Sequence, residues 1–137
     1  MNWFKVMTLT MALIVNAAIA EVAVIVHPSN AVSLDQSEIT RLFTGRGATF
    51  NNGNKATPFN LAESAPARAH FDSKVLGKSS SQMKAYWSKL VFTGKGTPPK
   101  ELASDAEVKA AVAADANAIG YIDAAAVDAS VKVVGKF

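Results

Sequence analysis

Residues 22–27, VAVIVH, form an unbroken β-branched and apolar run. Such a run predicts a strand buried on both faces, as in α/β sheets. It ends at Pro28-Ser29-Asn30. Ser33 and Gln36 then match a capping box and predict a helix opening after Ser33. Ile39, Leu42 and Phe43 give that helix its apolar face, and Gly45 supplies a C-terminal cap. Residues 46–54 predict a loop that turns at Asn51-Asn52-Gly53-Asn54. The segment 56–61, ATPFNL, predicts a strand whose Pro58 points either to a sheet edge or to the strand's first residues.

Pro66 sits where a second helix would begin, and Ala67, Phe71 and Val75 follow at helical spacing up to a closing Gly77. Ser79 and Gln82 form a second capping box. The helix after it carries Met83, Tyr86, Trp87, Leu90 and Val91 on one stripe, the clearest 3.6-residue period in the chain. Gly94 stops that helix, and Pro98-Pro99 prevents its resumption. Ser104 and Glu107 open a fourth helix with Val108, Ala111 and Val112 along it. Residues 118–122, AIGYI, and 131–134, VKVV, read as the last two strands, separated by a short alanine-rich turn. The predicted order is β-α-β-α-α-α-β-β. It implies an α/β sandwich in which helices flank a central, mostly parallel or mixed sheet.

The first twenty residues stand apart from this pattern. Lys5 precedes an apolar run from Val6 to Val15, and Ala18-Ile19-Ala20 gives a small-x-small cleavage pattern. This is the build of a secretory signal peptide; a membrane anchor would need about 20 apolar residues. The division expected is therefore 1–20 as leader and 21–137 as a single α/β domain, exported to the periplasm. Half of the 137 residues are apolar, enough for one core, and cysteine is absent, which excludes disulfides, thiolate nucleophiles and a lipobox anchor. The net charge of +3 is too small to indicate a nucleic-acid partner.

Catalytic chemistry finds no residues to carry it. Around Gly94-Lys95 the upstream glycine of a P-loop is replaced by Lys89, and neither His27 nor His70 lies in a nucleophile or metal-ligand motif. No metal or cofactor is expected, and no nucleophile, base and orienter form a set, so an enzyme is not expected. Phe43-Thr44-Gly45-Arg46-Gly47 is echoed by Phe92-Thr93-Gly94-Lys95-Gly96, both at predicted helix ends. A capping glycine and a cation near the negative helix terminus explain the echo structurally.

The segment from Leu61 to Phe71 carries more. A strand ends near Leu61 and a helix begins near Pro66, so free helix-start N–H groups could meet an oxyanion. Ser64 adds a hydroxyl donor, Arg68 a charge-assisted one, and Glu63 an acceptor for a partly protonated anion. The same residues also fit a plain structural role, with Ser64 capping the helix and Arg68 paired with Asp72. Ser29, in the loop after the first strand, is a fourth candidate, because ligands in open α/β sheets sit beyond strand carboxyl ends. Tyr86 and Trp87 fit core packing better than ligand stacking.

Taken together, LDQSEITRLFTG at 34–45, the turn at Asn52-Gly53, the segment Pro58 to Phe71, VLGKSSSQMKAYW at 75–87 and AIGYID at 118–123 resemble, in order, the periplasmic substrate-binding proteins of phosphate ABC transporters. The likeness is to the PstS-like group, with the type II periplasmic binding-protein fold, and to a short, stand-alone version of it. The resemblance implies a single-lobe binding-protein domain, where full-length members close two lobes over the anion. It implies a phosphate loop at Ser64-Ala65-Pro66 with Arg68 nearby, where the family pattern is Ser-Gly-Thr. Pro66 in place of threonine removes a hydroxyl and an N–H. Glu63 and Ser29 complete the implied ligand set. The function expected is a periplasmic module recognising phosphate or a similar oxyanion in connection with phosphate uptake. The other reading is a ligand-free accessory of a membrane transporter, porin or sensor. Two copies in a homo-oligomer would supply two walls of a cleft.

Overall fold

The computed structural model describes residues 19–137, so all but the end of the expected leader lies outside the described residues. Five strands form one mixed sheet in the order β3-β2-β4-β1-β5. They are β1 (Val22–Val26), β2 (Thr57–Leu61), β3 (Lys100–Leu102), β4 (Ala118–Asp123) and β5 (Lys132–Lys136). β2 runs parallel to both β3 and β4, whereas β1 runs antiparallel to β4 and β5. All five residues of β1 are buried, as its continuous apolar run requires.

There are four α-helices, α1 (Gln36–Phe43), α2 (Pro66–Phe71), α3 (Ser80–Phe92) and α4 (Asp105–Ala114), and residues of α1, α2 and α4 join the core on the sheet while those of α3 do not. β4 shows how the layers form, because successive residues point to opposite faces. Tyr121 stacks on Phe71 of α2, with ring centroids 3.8 Å apart, and meets Phe43 of α1 edge-on. Its neighbour Gly120 faces Val108 and Val112 of α4. Helices therefore lie on both faces of the sheet, and the α/β sandwich expected from the pattern is the fold observed.

Three local expectations shift. α1 is capped by Asp35 in a complete box with Glu38, not by Ser33. Asp35-x-x-Glu38 overlaps the Ser33-x-x-Gln36 match and offers the stronger, charged acceptors. α2 continues from Phe71 into a π-helical turn, Asp72–Leu76, before Gly77 ends it at φ 68°. β3 is a strand that the pattern does not predict, since its three residues follow Pro98-Pro99 and lack a strand pattern of their own. Pro58 is the second residue of β2 and pairs with β4, while β3 reaches only Phe59 to Leu61. Its missing N–H thus faces no strand, and the first-residues alternative holds.

The two echoed motifs end α1 and α3, and Gly45 and Gly94 both take positive φ there, as capping predicts. They also meet in space. A Cβ at Gly45 would lie 2.9 Å from the Trp87 indole and one at Gly96 3.4 Å from it, so the ring sits between the two motifs. The Tyr86 hydroxyl, from the middle of α3, donates to the Thr44 carbonyl at the end of α1 at 2.6 Å.

Gly120 sets the approach of α4 to the sheet: a Cβ there would lie 2.6 Å from Val108 Cγ1. Gly120→Ala is expected to cost about 1–3 kcal/mol through overpacking, measured by urea unfolding, and Val108→Ala in the same chain should recover part of the loss.

Candidate functional site

The loop from Ala62 to Ala65 joins the carboxyl end of β2 to α2. A residue before proline is driven to extended backbone, so Ala65, at φ −75° and ψ 129°, becomes the N-cap ahead of Pro66. Alanine offers no side-chain cap, and Ser64 lies exposed one position earlier. The capping role considered for Ser64 is therefore not the one it has.

Arg68 turns inward. It is 3% exposed. Its Nε donates to Asp72 Oδ2 at 3.0 Å, and Nη1 donates to the Leu61 carbonyl at 2.8 Å and to Glu101 Oε1 at 3.0 Å. Asp72 is fully buried; Ser80 Oγ, at the start of α3, donates to the same Oδ2 at 2.8 Å. Asp72 Oδ1 is buried and accepts no hydrogen bond. Burial works against the guanidinium charge, but the hydrogen bond to Glu101 and the charge of Asp72 outweigh it and raise the Arg68 pKa. The structural alternative for Arg68 is thus the arrangement observed. Its side chain ties α2 to the last carbonyl of β2 and to Glu101 of β3.

A second buried network adjoins the first. The Tyr121 hydroxyl donates to Asn60 Oδ1, and the Leu61 N–H donates to the same Asn60 oxygen at 3.0 Å. Burial pushes the Tyr121 phenol above its ordinary pKa.

Above these networks opens a cleft of about 540 Å³. One wall comes from α3, with Lys84, Trp87, Ser88, Val91 and Phe92. Asn60, Glu63, Arg68 and Glu101 supply the polar side, and Pro98 and Pro99 join the apolar one. The cleft lies toward the carboxyl ends of β2 and β3, where open α/β sheets hold their ligands. The structure thus brings Glu63 and Arg68 together at this edge, with Ser64 next in the chain.

Ser29 is not brought there. Val26 pairs with Ile119 near the start of β4, so the antiparallel β1 delivers its carboxyl end to the opposite edge of the sheet. Ser29 bonds locally instead, its Oγ 2.7 Å from His27 Nδ1. Lys84 and Ser88 escaped sequence reading, although their spacing places them on one face of α3, beside the Trp87–Val91 stripe. Asn60 and Glu101 left no local signal, and Glu101 belongs to the unread strand.

Comparison with known proteins bears on the fold. No protein-family model matches the chain, and no curated protein matches its sequence. Solved structures do. One is described as a phosphate ABC transporter substrate-binding protein with bound phosphate, from Clostridium perfringens; it is 22% identical, with a TM-score of 0.67, covering 85% of this chain and 46% of that one. An ABC-type phosphate transport receptor from Vibrio cholerae is 19% identical, with a TM-score of 0.64, over 85% of this chain and 47% of its own. PstS from Borrelia burgdorferi is 12% identical, with a TM-score of 0.63, over 83% and 46% respectively. The chain spans about half the length of these structures. It has the fold of a single lobe of the periplasmic-binding-protein kind, as the resemblance implied.

Breaking the buried ion pair by Arg68→Ala should cost about 3–5 kcal/mol of stability, since it strands the Asp72 charge. Glu101, whose side chain is 52% exposed, should cost under about 1 kcal/mol when replaced by alanine. Urea unfolding of both variants checks the contrast; equal losses would contradict it. Tyr121 has a pH signature. Its folded pKa lies above the unfolded value of about 10, so the unfolded chain ionises first and stability falls as pH rises past about 10. Tyr121→Phe should flatten that alkaline decline in thermal melts.

Proposed function

We propose that this chain is an exported, one-lobe solute-binding module that recognises phosphate or a similar oxyanion in connection with phosphate uptake, as a binding protein and not an enzyme. The observation that carries the reading is a cleft with polar donors at the carboxyl edge of a fold shared with phosphate-transport proteins. In this reading the anion is held by the Ser64 hydroxyl and the Glu63 and Ser64 N–H groups, since those of Ala62 and Ala65 donate within the fold, with the Lys84 ammonium supplying charge and Ser88 and Asn60 further polar contacts. Glu63 accepts the proton of a partly protonated oxyanion, as hydrogenphosphate carries. Arg68 acts indirectly, by holding the loop. Among the described residues no helix is long and apolar enough to cross a membrane.

A second reading is a ligand-free accessory of a membrane transporter, porin or sensor. It is favoured by the commitment of Arg68 to internal partners and by the donor lost at Pro66. Isothermal titration with phosphate and with sulfate separates the two. The oxyanion reading expects heat and a raised melting temperature with phosphate, because a ligand bound to the folded state stabilises it. Ser64→Ala and Lys84→Ala should each weaken binding about tenfold, the loss of one polar or charge-assisted contact. Neither heat nor a thermal shift at millimolar phosphate would leave the accessory reading standing.

A further inference from the structure

We infer that two copies of this chain pair across the cleft face, the Phe92 ring of each protomer entering the cleft of its partner. Among the described residues the exposed large apolar side chains are Val91, at 53%, and Phe92, at 92%. Both line the same cleft, beside Trp87, Pro98 and Pro99. An apolar wall so concentrated marks an interaction surface, not scattered surface hydrophobicity. Phe92 is the last residue of α3 and projects from the rim of the opening.

The charges around the cleft indicate what covers it. Its lining carries Lys84 of one sign and Glu63 and Glu101 of the other. Lys84 and Glu63 have no ion-pair partner among the described residues, and Glu101 uses one oxygen on Arg68 and leaves the other free. A partner of uniform charge would be repelled by one half of this lining. A second copy brings both signs in the same arrangement, and a two-fold axis sets the lysine of one protomer against the carboxylates of the other.

The inference goes beyond the preceding reading, since in the pair the partner takes up both the cleft and Lys84. Sedimentation velocity and light scattering of the purified protein over a concentration series test it. A mass that doubles with concentration is expected. Phe92→Asp should weaken pairing about thirtyfold or more, as loss of a central aromatic anchor does, with an unchanged circular dichroism spectrum because the ring makes little contact within its own chain. Glu63→Lys should also weaken pairing, and adding Lys84→Glu should restore it. A monomer at every concentration, or association indifferent to Phe92→Asp, overturns the inference and leaves the face to a different polypeptide. Titrating inorganic phosphate into wild type and Phe92→Asp separates the two readings. A wild-type dimer that takes up no phosphate supports pairing and defeats the oxyanion role; a monomer that binds phosphate does the reverse.

Discussion

The geometry of the carboxyl edge depends on one buried ion pair. Arg68 and Asp72, four residues apart, are both withdrawn from water, and two such charges are tolerated only when each satisfies the other. The guanidinium then spends its remaining reach on the last carbonyl of β2 and on Glu101 of β3, while Asp72 takes a hydroxyl from the start of α3. Two helices and two strands are thereby referred to a single charged pair. The loop carrying Glu63 and Ser64 owes its position to this arrangement, and the cleft above inherits its floor from it.

What was legible in the sequence was local. The run at 22–26, the box at Ser79 and the stripe along α3 each declare themselves within a dozen residues, because burial and capping act over that range. What was not legible depended on partners distant in sequence. β3 is a strand because β2 lies beside it, not because of its own three residues. The misplacement of Ser29 has a similar cause: side-chain alternation is identical for a strand running either way, so direction cannot be read from the pattern. The role of Arg68 is not legible from spacing, because an arginine four positions before an aspartate fits an exposed helix pair as well as a buried one. Only its burial separates them.

The mixed sheet separates labour between its two edges. Reversal of β1 relative to β2 and β4 leaves one edge with His27, Ser29 and Asn30 bonded among themselves and to nearby backbone. The other edge has the open polar loop, the apolar end of α3 and both signs of charge. The compared structures, each more than twice as long as the matched region, share its fold without sharing much of its sequence.

The position of Trp87 gives the molecule a built-in optical reporter. Its indole is pinned by the glycine-rich tails of α1 and α3 yet borders the cleft. The other tryptophan is Trp3, inside the expected leader. In a chain without its first twenty residues, Trp87 is the lone tryptophan, and it stands at the mouth of the cleft. Quenching or a spectral shift then registers whatever settles there, with no dye attached and no residue altered.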